Sequence, residues 1–372
     1  FAEPWNSPGV FGQLLRAVGR KDAPFILRPS VIPGMLGWAV RFLRHSSPQH
    51  FDAAVRRNVA LALYSLQLMQ QFRAEAGIEY SASQRGILQI FRTPEARDKA
   101  FAWSERVAEF GLESRRLSLA QMMETEPALQ PVQSTLLGGV HYLRDEGGDA
   151  FQFCSALDAL LRTQGVEFRY GGVVDRFVVD KGRVIAAVDV EGNATPADRF
   201  VLAAGISSRK LARTAGISLP MAPVKGYSIT CPRSDAVAAP KVALVDPHLH
   251  IAIVPVGAER VRVAGTAEFA GDDRAVDPVR VQSLMARLRQ LFPAYADSLQ
   301  PERLLPWAGL RPMCADGTPI IGPTGLQNLF LNTAHGQLGW TLAAGSGRMV
   351  ADLVLGQTPA LDPRLYALDR FS

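Results

Sequence analysis

The sequence predicts an α/β protein of about two domains. Three observations carry that reading. The chain has 372 residues, where a domain averages roughly 150. A helix-to-strand unit opening at Asp149 leads, through a hairpin, to the nearly all-apolar run 199–205, which suits a strand buried on both faces whose carboxyl end meets a ligand. Between 222 and 265 alternating residues dominate, the pattern of an antiparallel sheet with one solvated or ligand-facing side.

Composition narrows the class. Apolar residues make up 48% and charged residues 20%, which excludes a disordered chain, and no run of about 18 apolar residues offers a membrane span. The 40 Lys and Arg against 35 Asp and Glu give a formal charge of +5 without the clustered, aromatic-interleaved stripe of a nucleic-acid binder. Cys154, Cys231 and Cys314 lie far apart, so there is no CxxC pair, no zinc spacing and no disulfide framework, and a reducing compartment is the default. His248 and His250 are near neighbours without a carboxylate cluster, so no metal site is assigned. The opening Phe1-Ala2-Glu3-Pro4-Trp5 has no initiator Met and no signal-peptide pattern, and reads as the start of a fragment.

The elements follow in order. Residues 35–44 read as a short amphipathic helix, first of all an ordinary one with an exposed arginine edge, its cationic end also inviting a membrane-surface reading as the alternative. Apolar positions 55, 59, 63, 66 and 69 mark a helix that Gly77 can stop. Two more helical stretches cover about 101–110, ended by Gly111, and 118–124, ahead of Pro127. Asp149 can cap a helix to Gly165, followed by a strand over 166–170. Residues 173–179 and 184–190 form a hairpin around Asp180-Lys181-Gly182. Strands are expected at 227–231, 250–254 and 260–264, then a helix capped by Asp277 with Pro278 at its first position. A last helix presents Leu342, Met349, Val350, Leu353 and Val354 and ends at Gly356.

Two features carry chemistry. The strand 329–331 feeds a glycine-containing bend and then a helix rich in small residues. Unpaired N–H groups and a partial positive charge at such a helix start suit a phosphate or an electron-rich carbonyl, although plain strand-to-helix geometry gives the same spacing. Arg311 directly precedes Pro312, so its backbone is extended and its guanidinium is placed by a stiff connection. It can clamp a carboxylate or serve a structural salt bridge.

Gly309-Leu310-Arg311-Pro312, Asp316-Gly317-Thr318-Pro319 and His335-Gly336-Gln337-Leu338-Gly339-Trp340-Thr341 together resemble the D-amino-acid oxidase-type FAD-dependent oxidoreductases, and within them the bacterial D-amino-acid dehydrogenase small subunits. Pro4-Trp5, Pro8-Gly9, Lys225-Gly226-Tyr227-Ser228 and residues 201–205 extend the likeness nearly end to end. The resemblance implies a Rossmann-like FAD-binding domain, N-terminally truncated, from residues 149–218 and 303–372. An α+β substrate domain with an antiparallel sheet would come from 25–148 and 219–302, with 1–24 as a residual connection. It places Val174 by the adenine, Ala204 and Gly205 by the dinucleotide, and Gly336, Gln337, Leu338, Gly339, Trp340 and Thr341 by the flavin ring. Arg311 would hold the substrate carboxylate, and Tyr227 would give a second polar contact. The family's opening GxGxxG unit and its later acidic residue are not in this sequence, which puts cofactor binding by this stretch alone in question.

The implied reaction is oxidative deamination of a D-amino acid to a 2-oxo acid and ammonia, with hydride transfer to noncovalent FAD and electrons passed to a respiratory acceptor. No side-chain base is obligatory, and His335, in a glycine turn, reads as structural. The expected place is the cytoplasm, with peripheral contact at the inner face of the bacterial inner membrane. A glycine- or sarcosine-type amine oxidase is the enzyme alternative, and a cofactor-free remnant that binds a small acid or a partner is the non-enzymatic one.

Overall fold

The computed structural model describes residues 3–9, 12, 25–233 and 237–371. After strand β1 (Phe25–Leu27) come helices α1 (Ile32–Arg44) and α2 (Pro48–Ala76), then β2 (Ile87–Phe91), α3 (Pro94–Ala108), β3 (Arg115–Leu117), α4 (Leu119–Thr125) and β4 (Gly138–Tyr142). The middle of the chain forms α5 (Ala150–Thr163), the meander β5 (Val174–Asp180), β6 (Arg183–Asp189) and β7 (Ala194–Thr195), then β8 (Phe200–Leu202) and α6 (Ser208–Thr214). Next come β9 (Met221–Pro232), β10 (Ala243–Asp246), β11 (Ile251–Val256), β12 (Arg260–Phe269), α7 (Pro278–Leu291), α8 (Pro293–Ser298), β13 (Leu305–Cys314), β14 (Ile320–Pro323), β15 (Leu329–Thr333) and α9 (Gly339–Leu355).

The largest sheet runs β13-β9-β12-β11-β10-β2-β4-β3, with β1 added parallel to β12. One face is sealed by α7, where Leu284, Leu288 and Leu291 pack with Tyr227, Ile229, Val261 and Val263 in one core. On the other face, Met35, Trp38 and Phe42 of α1 pack with Ala222, Val224 and Met313, and the Trp38 indole N–H donates to the Met313 carbonyl at 2.9 Å. These three residues recur at the spacing of one helical face. A separate sheet, β14-β15-β8, pairs β8 parallel to β15, and α2 and α9 share a core that includes Ile321 of β14.

Local signals placed many of these elements. Asp149 caps α5 through the N–H groups of Phe151 and Gln152, Asp277 caps α7, and Gly77 and Gly356 end α2 and α9 in the left-handed region. The hairpin and the alternating strands also lie where the pattern puts them.

Three expectations need correction. Residues 166–170 form no strand. They gain no ladder partner, and local contacts hold them instead: the Tyr170 hydroxyl donates to Asp158 at 2.7 Å, and Arg162 lies over the rings of Phe168 and Tyr170. The run 199–205 yields only the three-residue β8, which pairs on one side with β15. Its Val201 is 45% exposed, so β8 is not buried on both faces, and β15 is its one ladder neighbour among the described residues. Finally, a division between 302 and 303 falls ahead of β13, whose residues 305–314 pair in unbroken register with β9. Arg311 therefore stands in the large antiparallel sheet.

Candidate functional site

Arg311 sits opposite Val224 in the β13–β9 ladder, and Gly309 sits opposite Gly226. Side chains alternate faces along a strand, so Val224, Gly226, Gly309 and Arg311 share one face. The guanidinium lies flat over Gly226, where a Cβ would stand within 2.6 Å of Nη1. A side chain there would push the guanidinium from this position. Nη1 donates to the Thr266 carbonyl at 3.2 Å, and among the described residues no carboxylate forms an ion pair with Arg311. Burial of the guanidinium brings its pKa down to about 10, which leaves it cationic at neutral pH. A partly accessible, desolvated cation without an acid partner favours an incoming anion.

The glycine bend meets this strand directly. His335 bridges to Met313, two residues beyond Arg311, and a side chain at Gly336, whose φ is +57°, would press on the Met313 sulfur. Ala334 also takes a positive φ of +64°. The bend tightens through the Leu338 N–H donating to the His335 carbonyl at 3.0 Å, and Leu338 offers no side-chain cap to α9. The first N–H groups of that helix, from Gly339, Trp340 and Thr341, are left without a side-chain acceptor. Gln337 donates to the Glu3 carbonyl at 3.0 Å and ties the bend to the start of the chain.

The remaining positions divide between this bend and a neighbouring groove. Thr333 donates through Oγ1 to the Gly205 carbonyl at 3.0 Å, which sets Gly205 at the carboxyl end of β15. Val174 and Ala204 line a cavity of about 630 Å³ with Asp175, Phe200, Ser207 and Lys210. It runs along β8 to Ala204 and Ser207, between that strand and the start of β5.

Two candidates stand apart. Tyr227 lies on the opposite face of the sheet from Arg311, buried in the α7 core, with its hydroxyl donating to Glu268 Oε2 at 2.5 Å. It offers no contact on the Arg311 side. The Trp340 ring is taken up by Tyr80 and Phe153, at centroid distances of 5.9 and 5.5 Å, so its contribution at the bend is its backbone. Burial lowers the His335 pKa to about 4, so the imidazole is neutral at pH 7, and its Nε2 has no hydrogen-bond partner among the described residues. Cys314 is buried and donated to by Arg370 at 3.6 Å, with its thiol pKa pushed well up by burial.

Sequence reasoning missed two groups, the Tyr227–Glu268–Arg28 network and the pair of Asp316 with Arg370. The signal for the second was present, an acid in the turn after the arginine strand, but its partner lies 54 residues on.

Comparison with known proteins adds an independent line. Residues 28–353 match the DAO family, described as FAD dependent oxidoreductase. A D-amino acid dehydrogenase of Paramagnetospirillum magneticum is 40% identical over 372 residues, covering 100% of this chain and 87% of that protein. A second, of Methylobacterium radiotolerans, is 39% identical over 372 residues, covering 100% and 88%. Among solved structures, glycine oxidase from Geobacillus kaustophilus superposes with a TM-score of 0.75 at 24% identity, covering 83% of this chain and 82% of that one. L-proline dehydrogenase from P. horikoshii gives 0.75 at 19%, covering 85% and 83%. At those identities the two structures speak for the fold.

The residues present suit FAD. The cradle at Gly336 admits close approach, the uncapped start of α9 offers N–H donors, and the cavity at Val174 and Ala204 has room for the nucleotide end. With the match spanning most of its length, this chain belongs to the FAD-dependent oxidoreductase family of the D-amino-acid oxidase type.

Proposed function

We propose that this protein is a D-amino acid dehydrogenase. A D-amino acid loses a hydride from its α-carbon and a proton from its amine, and water converts the resulting imino acid to a 2-oxo acid and ammonia. FAD supplies the two-electron acceptor, and the electrons pass on to a respiratory acceptor. The observation that carries this reading is the unpaired Arg311 guanidinium standing one backbone bridge from the Gly336 bend.

Each residue then has a task. Arg311 takes the substrate carboxylate through the donors that Thr266 leaves free, which fixes the α-carbon relative to the bend. Gly226 keeps the guanidinium pressed to the sheet. The N–H groups at Gly339, Trp340 and Thr341 favour negative charge on the ring system beside them. Gly336, Gln337 and Leu338 line that ring, Val174 lies by the adenine, and Ala204 and Gly205 lie by the dinucleotide. Cys314 is occupied within its own pocket, which supports noncovalent binding. Relatives at about 40% identity are D-amino acid dehydrogenases, whereas the glycine oxidase likeness speaks only for fold, so the amine oxidase alternative has less support.

The purified protein is expected to reduce an artificial dye with D-amino acids, to leave the L-enantiomers untouched, and to consume little oxygen. Oxygen uptake with glycine or sarcosine, in the absence of D-amino acid turnover, would contradict the proposal.

The acceptor reading includes loose contact with a membrane. No helix among the described residues is long and apolar enough to cross one. The outer face of α1 leaves Ile32, Leu36, Val40 and Leu43 exposed, Leu36 at 57%. Arg41 and Arg44 flank that stripe, and Arg209 of α6 donates to the Gly34 carbonyl at 3.4 Å beside it. An apolar stripe with a cationic margin suits an anionic lipid surface. Vesicles containing anionic lipid are expected to retain the protein at low salt and release it at high salt. Equal recovery in the supernatant with and without vesicles would reject the contact.

A further inference from the structure

The large sheet slips once beside Arg311. Between Gly265, opposite Tyr227, and Glu268, opposite Lys225, strand β12 carries Thr266 and Ala267 against the single Gly226 of β9. This is a bulge, which bends a strand and re-aims what it carries. Gly226 is the residue under the guanidinium, and the extra backbone supplies the carbonyl that Arg311 meets. Thr266 takes φ +60°, and its hydroxyl has no hydrogen-bond partner among the described residues. A β-branched residue has no preference of its own for that region, so its surroundings must impose it.

The imposing groups lie on the far face. The Glu268 carboxylate, 3% exposed, accepts from the Tyr227 hydroxyl at 2.5 Å and from Arg28 Nε and Nη2 at 2.6 Å. Arg28 continues to Asp273 at 3.1 Å, and Asp273 also pairs with the buried Lys225 at 3.1 Å. The Arg28 N–H donates to the Phe269 carbonyl, and β1 pairs with residues 267–269. The Glu268 end of the slip is thus fastened to β9 through the Tyr227 hydroxyl and to β1 through Arg28, and Lys225 joins the same network through Asp273. Loosening Glu268 frees the backbone that Thr266 needs held.

We propose that Tyr227, Glu268 and Arg28 are positioning residues for Arg311: by clamping the bulge from the far face they aim the Thr266 carbonyl at the guanidinium and set its orientation toward a carboxylate. The proposal rests on the carboxylate reading of Arg311. Tyr227 therefore acts on substrate recognition through the backbone, without reaching the pocket.

The test compares D-alanine with D-alaninamide, which lacks the carboxylate, on the flavin-loaded enzyme. Tyr227→Phe and Glu268→Gln are each expected to raise KM for D-alanine about 10-fold with a smaller change in kcat, and to leave KM for the amide unchanged. Thr266→Gly keeps the carbonyl and accepts a positive φ, so adding it to Tyr227→Phe is expected to restore much of the lost affinity. In an Arg311→Ala background, Tyr227→Phe is expected to add nothing further. If Arg311→Ala raises KM while the Tyr227 and Glu268 variants do not, or if they affect the acid and the amide equally, the clamp is overturned and the anchor stands. If Arg311→Ala leaves KM unchanged, the anchor reading itself has failed and the clamp falls with it.

Discussion

Arg311→Ala is expected to raise KM for a D-amino acid by about 100- to 10,000-fold while the protein keeps its flavin colour. The magnitude follows from two charge-assisted hydrogen bonds of roughly 1.5 to 3 kcal/mol each, set against about 1.4 kcal/mol per decade of affinity. The guanidinium has no acid partner among the described residues and one carbonyl contact, so its removal breaks no ion pair that the fold depends on. Arg311→Lys keeps the charge but loses the planar fork, and its KM is expected to fall between the two. Steady-state kinetics on D-alanine, with thermal unfolding as a control, checks both. Unaltered kinetics in Arg311→Ala would remove the anchor.

The second large effect is on stability. Asp316 and Arg370 are both buried, with side chains 6% and 8% exposed. Arg370 donates to both Asp316 oxygens at 2.8 and 3.1 Å, and to the carbonyls of Thr318, Tyr366 and Ala367. It thereby ties the chain's end to the turn that follows β13. The Asn58 amide reaches the Gly317 carbonyl at 2.9 Å, and Arg57 lies 3.6 Å from Asp316, so α2 joins the same turn. Arg370→Met takes from the buried Asp316 carboxylate its nearest cation, leaving it Arg57 at 3.6 Å and the Thr318 N–H, and is expected to cost up to about 3–5 kcal/mol, read as a shift of the urea midpoint.

Burial alone would raise the Asp316 pKa, but the Arg370 guanidinium outweighs it and holds the carboxyl below its ordinary value. A depressed folded pKa gives stability that is present above the unfolded value of about 4 and is lost as pH falls through the folded one. The stability gap between wild type and Asp316→Asn is therefore expected to be full at pH 7 and to shrink as pH drops below about 4. A gap that does not change with pH would show that charge plays no part in this tie.

Local features were legible in the sequence. Helix α2 was readable because Val55, Val59 and Met69 fall on one buried face and Gly77 closes it. Helix α5 was readable because Asp149, a strong capping residue, stands directly ahead of an apolar run at helical spacing. The bend at Gly336 and the extended backbone at Arg311 were found through residues clustered within a few positions of each other, whereas the strand β13 was not read. Pairings across long separations were not legible. Residues 166–170 have the composition of a strand, yet a strand exists only where a neighbour completes its hydrogen bonds. The face on which Tyr227 stands is set by its parity with Arg311 across the β9–β13 ladder, which neither segment reveals alone. The bulge at Thr266 is likewise a property of two strands, and Glu268 gains its meaning from Arg28, 240 residues earlier.

The same contrast explains the site. Alternation predicted an antiparallel sheet, but not that β13 would join it and bring the guanidinium over Gly226. Once β13 is placed there, the bridge from Met313 to His335 joins the strand of the proposed carboxylate anchor to the bend of the proposed flavin contact without any further element. The glycine at 226 and the bend at 336 are then two halves of one requirement, since each lets a flat group lie close to backbone.

The most direct measurement is an anaerobic titration of the purified, flavin-loaded protein followed by visible absorbance. D-alanine is expected to bleach the oxidised flavin band, L-alanine to leave it intact, and Arg311→Ala to bleach only at far higher D-alanine concentration. A band that persists with D-alanine, or bleaches at the same concentration with and without Arg311, would contradict the account.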